Sequence, residues 1–311
     1  MKEKEPRLNI SGIVPPLVTP LLKSNQLDID GLKNLIDHVI NGGVSGIFIL
    51  GTTGEMSRLS CSLKEEMIRQ TCKLVNGRVP VLVGITDTSL FGTLKLEKFA
   101  WESGANAAVL APPFYYHVEQ NELLSYFREV ADTISLPLFL YNMPSRTHIT
   151  IEIDTVIKAA KSNNIIGIKD SSGDLMYLQN LIYSFKDKPG FSIFVGPEEI
   201  MAQAVLSGAS GGVNGGANIY PRLYVELFEA ARQRNLDKVN ELQNIVTQIS
   251  TTLYRVGRKN PNLTKILKEA LYQMNICSQH MEKPYIPFSD EDRGEITSCL
   301  NSIVIPEYLK A

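Results

Sequence analysis

Eight short apolar runs, each followed by a segment of helical period, constrain this chain more than any other feature. They are GIVPPLVTP (12–20), GIFIL (46–50), VPVLVG (79–84), AAVLA (107–111), LPLFLY (136–141), IIGIK (165–169), FSIFVG (191–196) and SGGVN (210–214). The spacing is regular: 28 residues separate Tyr141 from Lys169 and 27 separate Lys169 from Gly196, about the length of one strand, one helix and two loops. Between the runs, Leu32, Leu35, Ile36, Val39 and Ile40 fall on one helical stripe, as do Leu123, Leu124, Phe127, Val130, Ala131 and Ile134. Short apolar strands that each lead into an amphipathic helix form a parallel sheet covered by helices. Eight in succession predict closure into a (β/α)8 barrel, an α/β fold, with an open doubly wound sheet as the alternative.

Past the eighth run, Val239, Leu242, Ile245, Val246, Ile249 and Leu253 form a further stripe, and Leu263, Ile266, Leu267, Ala270 and Leu271 another. No Gly/Ser- or Pro-rich linker precedes them, so the expected organisation is a catalytic barrel over 1–235 and a C-terminal helical appendage over 236–311, packed on the barrel. Charge narrows the partners: 31 Lys+Arg against 33 Asp+Glu leaves no cationic surplus to hold a polyanion, which excludes nucleic acid as the expected partner. The charged start MKEKEPRLNISG lacks the apolar core of a signal peptide, and no later run approaches the roughly 18 apolar residues of a membrane span. A cytoplasmic protein is expected. Cys61, Cys72, Cys277 and Cys299 form no CxxC pair and are expected as free thiols, and His38, His117, His148 and His280 have no paired spacing, so no metal site is indicated.

In an α/β barrel, chemistry gathers where the strands end and the βα loops begin. Thr19, the GTTGE turn (51–55), Tyr115, Tyr141, Lys169, Gly196 and Gly215–Gly216 occupy such positions. Strict alternation along IIGIK places Ile165, Gly167 and Lys169 on one face and Ile166 and Ile168 on the other. A lysine closing an apolar strand often snorkels to solvent, but one pointed into the barrel mouth is desolvated, and desolvation favours the free amine that attacks a carbonyl. Tyr141 ends the preceding strand, with Pro137 and Phe139 on its face, and its phenol is suited to move protons for such an amine. Alone, a strand-end tyrosine is more often a packing residue; the pairing with Lys169 is what points to chemistry. Gly51, Thr52, Thr53 and Gly54 curl a turn able to offer N–H groups to a small carboxylate, or simply to cap a helix. Arg146, five residues past Tyr141, is a fork-shaped donor for a second carboxylate, while Gly196 and Asn214 lie in glycine-bearing turns that leave room for substrate or satisfy tight geometry.

Together GTTGE, YNMPSRT and GIKDSSGD, in this order and spacing, resemble the dihydrodipicolinate synthase and N-acetylneuraminate lyase family of pyruvate-dependent class I aldolases. The resemblance runs from GIVPPLVTPL to EKPYIPFSDED and implies a (β/α)8 barrel with extra C-terminal helices. It implies that Lys169 forms an imine with pyruvate, with no other cofactor, and that Tyr141, Thr52 and Tyr115 relay protons. Tyr115 matches a tyrosine that tetrameric members donate across a dimer interface, so a homo-oligomer, a dimer of dimers, is implied. Thr52 and Thr53 match the residues that hold the pyruvate carboxylate, and Gly51 is expected beside them in the substrate-binding turn. Arg146 matches the arginine with which synthases bind aspartate semialdehyde, which favours 4-hydroxy-tetrahydrodipicolinate synthase activity. GIKDSSGD in place of GIKEA(S/T)GD, VGPEE in place of SGDD, and GGVNGGAN in place of GVISV are departures expected at the substrate mouth. They keep N-acetylneuraminate lyase and 2-keto-3-deoxy-sugar-acid aldolase activities open. Gly92 and the MSRLSCSLKEE stretch lack the acidic and histidine residues of lysine-inhibited synthases, so lysine feedback is not expected. An idle barrel that only binds a 2-oxo acid and a metal-dependent barrel enzyme are the readings from other classes.

Overall fold

The computed structural model describes residues 8–257 and 262–309. Eight strands form one parallel sheet: β1 (Gly12–Ile13), β2 (Ile47–Ile49), β3 (Val81–Gly84), β4 (Ala107–Leu110), β5 (Leu138–Asn142), β6 (Ile165–Asp170), β7 (Ser192–Val195) and β8 (Gly211–Gly212). Strand β1 pairs with β8, and the ring closes on the other side where Pro16 bridges Phe48, the Phe48 N–H donating to Pro15 and the Leu17 N–H to Phe48. The run 12–20 therefore contributes only two residues to the ladder. Pro15 and Pro16 have no N–H to give, so contact with β2 is limited to the Pro16 bridge, after which the chain enters a small hairpin, Leu21–Lys23 against Gln26–Leu27, that the apolar pattern does not announce.

Helices α1 (Ile29–Asn41), α2 (Cys61–Val75), α3 (Leu90–Glu102), α4 (Gln120–Thr133), α5 (Ile153–Ala159), α6 (Leu175–Phe185), α7 (Met201–Leu206) and α8 (Pro221–Arg232) cover the sheet. Their starts follow from capping: Asp28, Ser60, Ser89 and Asp174 each accept a hydrogen bond from the first turn of the helix they precede. The strand pleat sorts side chains into two cores. Phe48, Leu82, Val109, Phe139, Tyr141, Ile166 and Phe194 fill the barrel, while Ile47, Val83, Leu110, Leu140, Ile168 and Val195 face the helices. Full burial of each large apolar side chain contributes roughly 1.5–3 kcal/mol.

The alternation fails at one place. The ladder pairs Leu138 with Ile165 and Phe139 with Gly167, so β6 carries an extra residue there, and Ile166 joins the barrel interior while Ile165 joins the outer core. Ile165 thus does not share a face with Lys169, contrary to strict alternation; the irregularity reverses the pleat before Gly167 and leaves the lysine pointing inward. Gly167 has no room for a side chain, since a Cβ would lie 2.5 Å from the Phe139 ring.

Three further helices, α9 (Leu236–Thr251), α10 (Leu263–Gln273) and α11 (Asp290–Ser302), continue the apolar core of the barrel. One buried ion pair ties them to it: Lys268 Nζ of α10 lies 2.5 Å from Glu55 Oε1, with both side chains fully buried. Lys268 also donates to the His280 carbonyl at 2.6 Å, and Glu55 accepts the Glu282 N–H at 3.1 Å. Burial pushes the Lys268 ammonium below its ordinary range and Glu55 opposes that shift. Removing one member of such a pair strands the other charge in a dry interior. Lys268→Ala is therefore expected to lower the unfolding free energy by about 3–5 kcal/mol, read from urea unfolding midpoints, and a loss below about 1 kcal/mol would contradict the assignment.

Candidate active site

Tyr141 and Lys169 are directly paired across β5 and β6 at the C-terminal end of the barrel. Both are buried, with 6% and 7% of their surface exposed. The Lys169 ammonium sits 4.3 Å from the centre of the Tyr141 ring and 5.2 Å from that of Phe48, and the two rings meet edge to face at 6.4 Å. Among the described residues no ion pair or hydrogen bond holds this nitrogen. Its neighbour Asp170 turns the other way, accepting from Asn142 Nδ2 at 2.8 Å and from Ser172 at 3.0 Å, and burial pushes its carboxyl up. The amine therefore faces aromatic surfaces in place of a counter-charge.

The second strand delivers the hydroxyls. After Ile49 the chain bends through Leu50 and Glu55, both at positive φ, and the intervening turn brings Thr52 Oγ1 to 3.2 Å from the Tyr141 hydroxyl. Thr19 secures the turn by donating to the Gly54 carbonyl at 2.7 Å. Gly84 permits the close passage, because a Cβ there would sit 2.1 Å from the Leu50 oxygen. Among the described residues no hydrogen bond occupies the backbone N–H of Thr52 or Thr53, so both remain available to an anion.

A cavity of about 250 Å³ opens above this floor, its wall including Phe48, Gly51, Thr52, Tyr141 and Arg146. Thr53, Tyr115, Lys169, Gly196 and Asn214 are not part of that wall, although Phe48 and Tyr141, whose rings flank the Lys169 nitrogen, are. Gly196 and Asn214 instead bond each other, the Asn214 amide donating to the Gly196 carbonyl at 2.9 Å. Tyr115 is 78% exposed with its ring edge-on to Tyr116, and within this single chain it does not reach Lys169 or Tyr141. The neighbouring Phe114 does line the cavity.

Several wall residues carry no signal in the sequence pattern. Arg58 lies over the Tyr285 ring at 4.3 Å, and Ser57, Asn262 and Thr264 supply further polar groups. They come from a loop after β2 and from the C-terminal helices, so only the folded chain assembles them. Of the VGPEE segment, none of the residues lines this cavity. Glu198 is buried outside the cavity wall, where Oε1 accepts the Gly216 N–H at 2.7 Å and the carboxylate accepts from the hydroxyls of Tyr224 and Tyr254. Four free cysteines are present, and among the described residues no three or more of His, Cys, Asp and Glu are grouped to hold a metal. Among the same residues no helix is long and apolar enough to cross a membrane.

A closed parallel barrel with a buried lysine and an adjacent phenol at its C-terminal rim defines a class of carbonyl-handling α/β-barrel lyases. The Dihydrodipicolinate synthetase family matches residues 9–303, and the chain belongs to that family, whose members are class I pyruvate-dependent lyases and aldolases. The 4-hydroxy-tetrahydrodipicolinate synthase of Polynucleobacter asymbioticus is 32% identical over 94% of both chains. YagE of Escherichia coli, a putative 2-dehydro-3-deoxy-D-gluconate aldolase, is 31% identical over 94% of this chain and 97% of its own. Among solved structures, dihydrodipicolinate synthase from Bacteroides thetaiotaomicron is 47% identical, with TM-score 0.92 over 94% of this chain and 99% of that one. YagE in complex with pyruvate aligns with TM-score 0.89 over 94% of this chain and 98% of that one.

Burial pushes the Glu198 carboxyl up to about 7, against the lowering effect of its hydrogen bonds. The folded chain thus holds this proton more tightly than the unfolded one does, and the stability gained is full below the ordinary value of 4.5 and is lost as pH rises through about 7. Glu198→Gln keeps an acceptor for Gly216 and removes the titration. Urea midpoints compared between the two proteins should shift in favour of the variant from pH 5 to pH 8; a difference that stays flat across this window would refute the account.

Proposed function

We propose that this chain condenses pyruvate, bound as an imine on Lys169, with an aldehyde, and that the acceptor is aspartate semialdehyde, as in 4-hydroxy-tetrahydrodipicolinate synthase. The observation that carries the reading is the buried Lys169 nitrogen, without an ion pair or hydrogen bond among the described residues, against the Tyr141 ring, with Thr52 Oγ1 3.2 Å from the phenol. The amine adds to the ketone carbon and the carbinolamine loses water, which leaves a cationic nitrogen able to draw electrons from the pyruvate methyl group. A methyl proton then departs and the resulting enamine attacks the aldehyde carbon. Tyr141 moves protons to and from the carbinolamine oxygen, with Thr52 as the next hydroxyl in line. The free N–H groups of Thr52 and Thr53 hold the pyruvate carboxylate, which the Gly51 turn brings close.

Arg146 on the cavity wall supports an acidic acceptor, and the similarity to named synthases supports the same choice. The reading includes a cytoplasmic homo-oligomer in which the exposed Tyr115 of one chain completes the site of a partner, the barrel over 1–235 carrying the chemistry. A second acceptor class is favoured by a different observation: Ser57, Thr86, Asn262 and Thr264 give the wall hydroxyl and amide groups suited to a polyhydroxy aldehyde. The similarity to YagE agrees with it.

Borohydride added with pyruvate should fix the substrate on Lys169, as found by peptide mass analysis; an unmodified Lys169 would end the imine reading. Tyr141→Phe should lower kcat by about 10²–10⁴-fold while borohydride still traps pyruvate, in line with loss of a proton-transfer group. Arg146→Ala should raise KM for aspartate semialdehyde about tenfold and leave KM for neutral short-chain aldehydes unchanged. A uniform change across acceptors would shift the assignment to the sugar-acid class.

A further inference from the structure

A second cavity, about 240 Å³, lies between α10, the start of α11 and the segment 278–288. Its polar wall holds Lys265, Arg293, Glu269 and Gln279, and its apolar wall holds Leu22, Met281, Pro287 and Phe288. The charges are unequally satisfied. Glu269 accepts from Gln273 Nε2 at 3.1 Å and stands 3.8 Å from Arg293 Nε. With its amide oriented to bond, Gln279 donates to Glu269 and accepts from Arg293, so the arginine and the carboxylate are joined in one network. Lys265 is outside that network. Its ammonium lies over the Phe288 ring at 3.9 Å, and among the described residues no ion pair or hydrogen bond holds it.

Among the described residues this ammonium makes no ion pair or hydrogen bond, although the charges of Asp292 and Glu269 reach it, and an ammonium beside an apolar wall suits a ligand with one negative end and a hydrocarbon body. A space below the roughly 300–1,000 Å³ of drug-sized sites admits on the order of ten non-hydrogen atoms. A cationic guest is disfavoured because the one carboxylate on the wall is already engaged. We propose that this cavity is a binding site for a short-chain monocarboxylate, its carboxylate on Lys265 and its chain against Leu22, Met281 and Phe288. The site is separate from the barrel mouth, but the two share Tyr285 as a wall, and a chain seated here touches the ring against which Arg58 lies.

The shared wall dictates the controls. Titration calorimetry with hexanoate, run on the whole chain with pyruvate saturating, should give one site per chain that inorganic phosphate and hexylammonium do not occupy. Lys265→Gln should weaken hexanoate binding about tenfold or more, Phe288→Ala should weaken it also, and Arg146→Ala should leave it unchanged. Binding that persists undiminished in Lys265→Gln, binding abolished by Arg146→Ala, or no binding at millimolar hexanoate would each overturn the proposal. None of these readouts depends on the reaction at Lys169, so the proposal and the imine reading fail separately.

Discussion

A basic nitrogen enclosed by rings inside a barrel is the interaction around which this molecule is arranged. Burying such a group with no partner carboxylate among the described residues costs free energy, and the fold bears that cost at Lys169. The irregular residue in β6 turns the lysine inward, and register sets Tyr141 beside it. The Phe48 ring fills the remaining side. The nearest carboxylate in sequence, Asp170, is held on the opposite face by Asn142 and Ser172.

The hydroxyl turn opposite the lysine is positioned by parts of the chain far from it in sequence. Thr19 holds its backbone from β1's side, and Glu55, at the turn's end, is clamped by Lys268 and by the Glu282 N–H. The C-terminal helices are thus structural members of the site. They supply Asn262 and Thr264 to the cavity wall and fix the turn that presents Thr52 to Tyr141. Asn262 serves two roles, since its side chain also caps α10 by accepting from the Lys265 N–H.

What the sequence reveals divides along physical lines. The strands and most helix stripes are legible because burial on one face imposes a period, and Leu32, Leu35, Phe127 and Val130 are buried as that period requires. Tyr141 and Lys169 are legible because strand ends in a barrel converge. The face of Ile165 is not legible, since the extra residue in β6 exists only in its pairing with β5. The first run reads as longer than its ladder because prolines are apolar but cannot donate. Nothing in VGPEE signals that Glu198 is drawn inside by one amide and two phenols. Lys268 interrupts its own apolar stripe and carries no hint of Glu55, more than two hundred residues earlier. Arg58 and Tyr285 face the same limit: their contact is a product of the tertiary fold.

The bond from the Gly216 N–H to Glu198 joins two of the three segments in which this chain departs from the family's usual wording, VGPEE after β7 and NGG after β8. Each is the other's complement. A protein engineer who moved the acidic loop alone into a sister barrel would bury a carboxylate lacking its amide and phenol donors, and one who moved the glycine pair alone would leave an amide without an acceptor. The two segments, with Tyr224 and Tyr254, form a single hydrogen-bonded unit around one buried carboxylate.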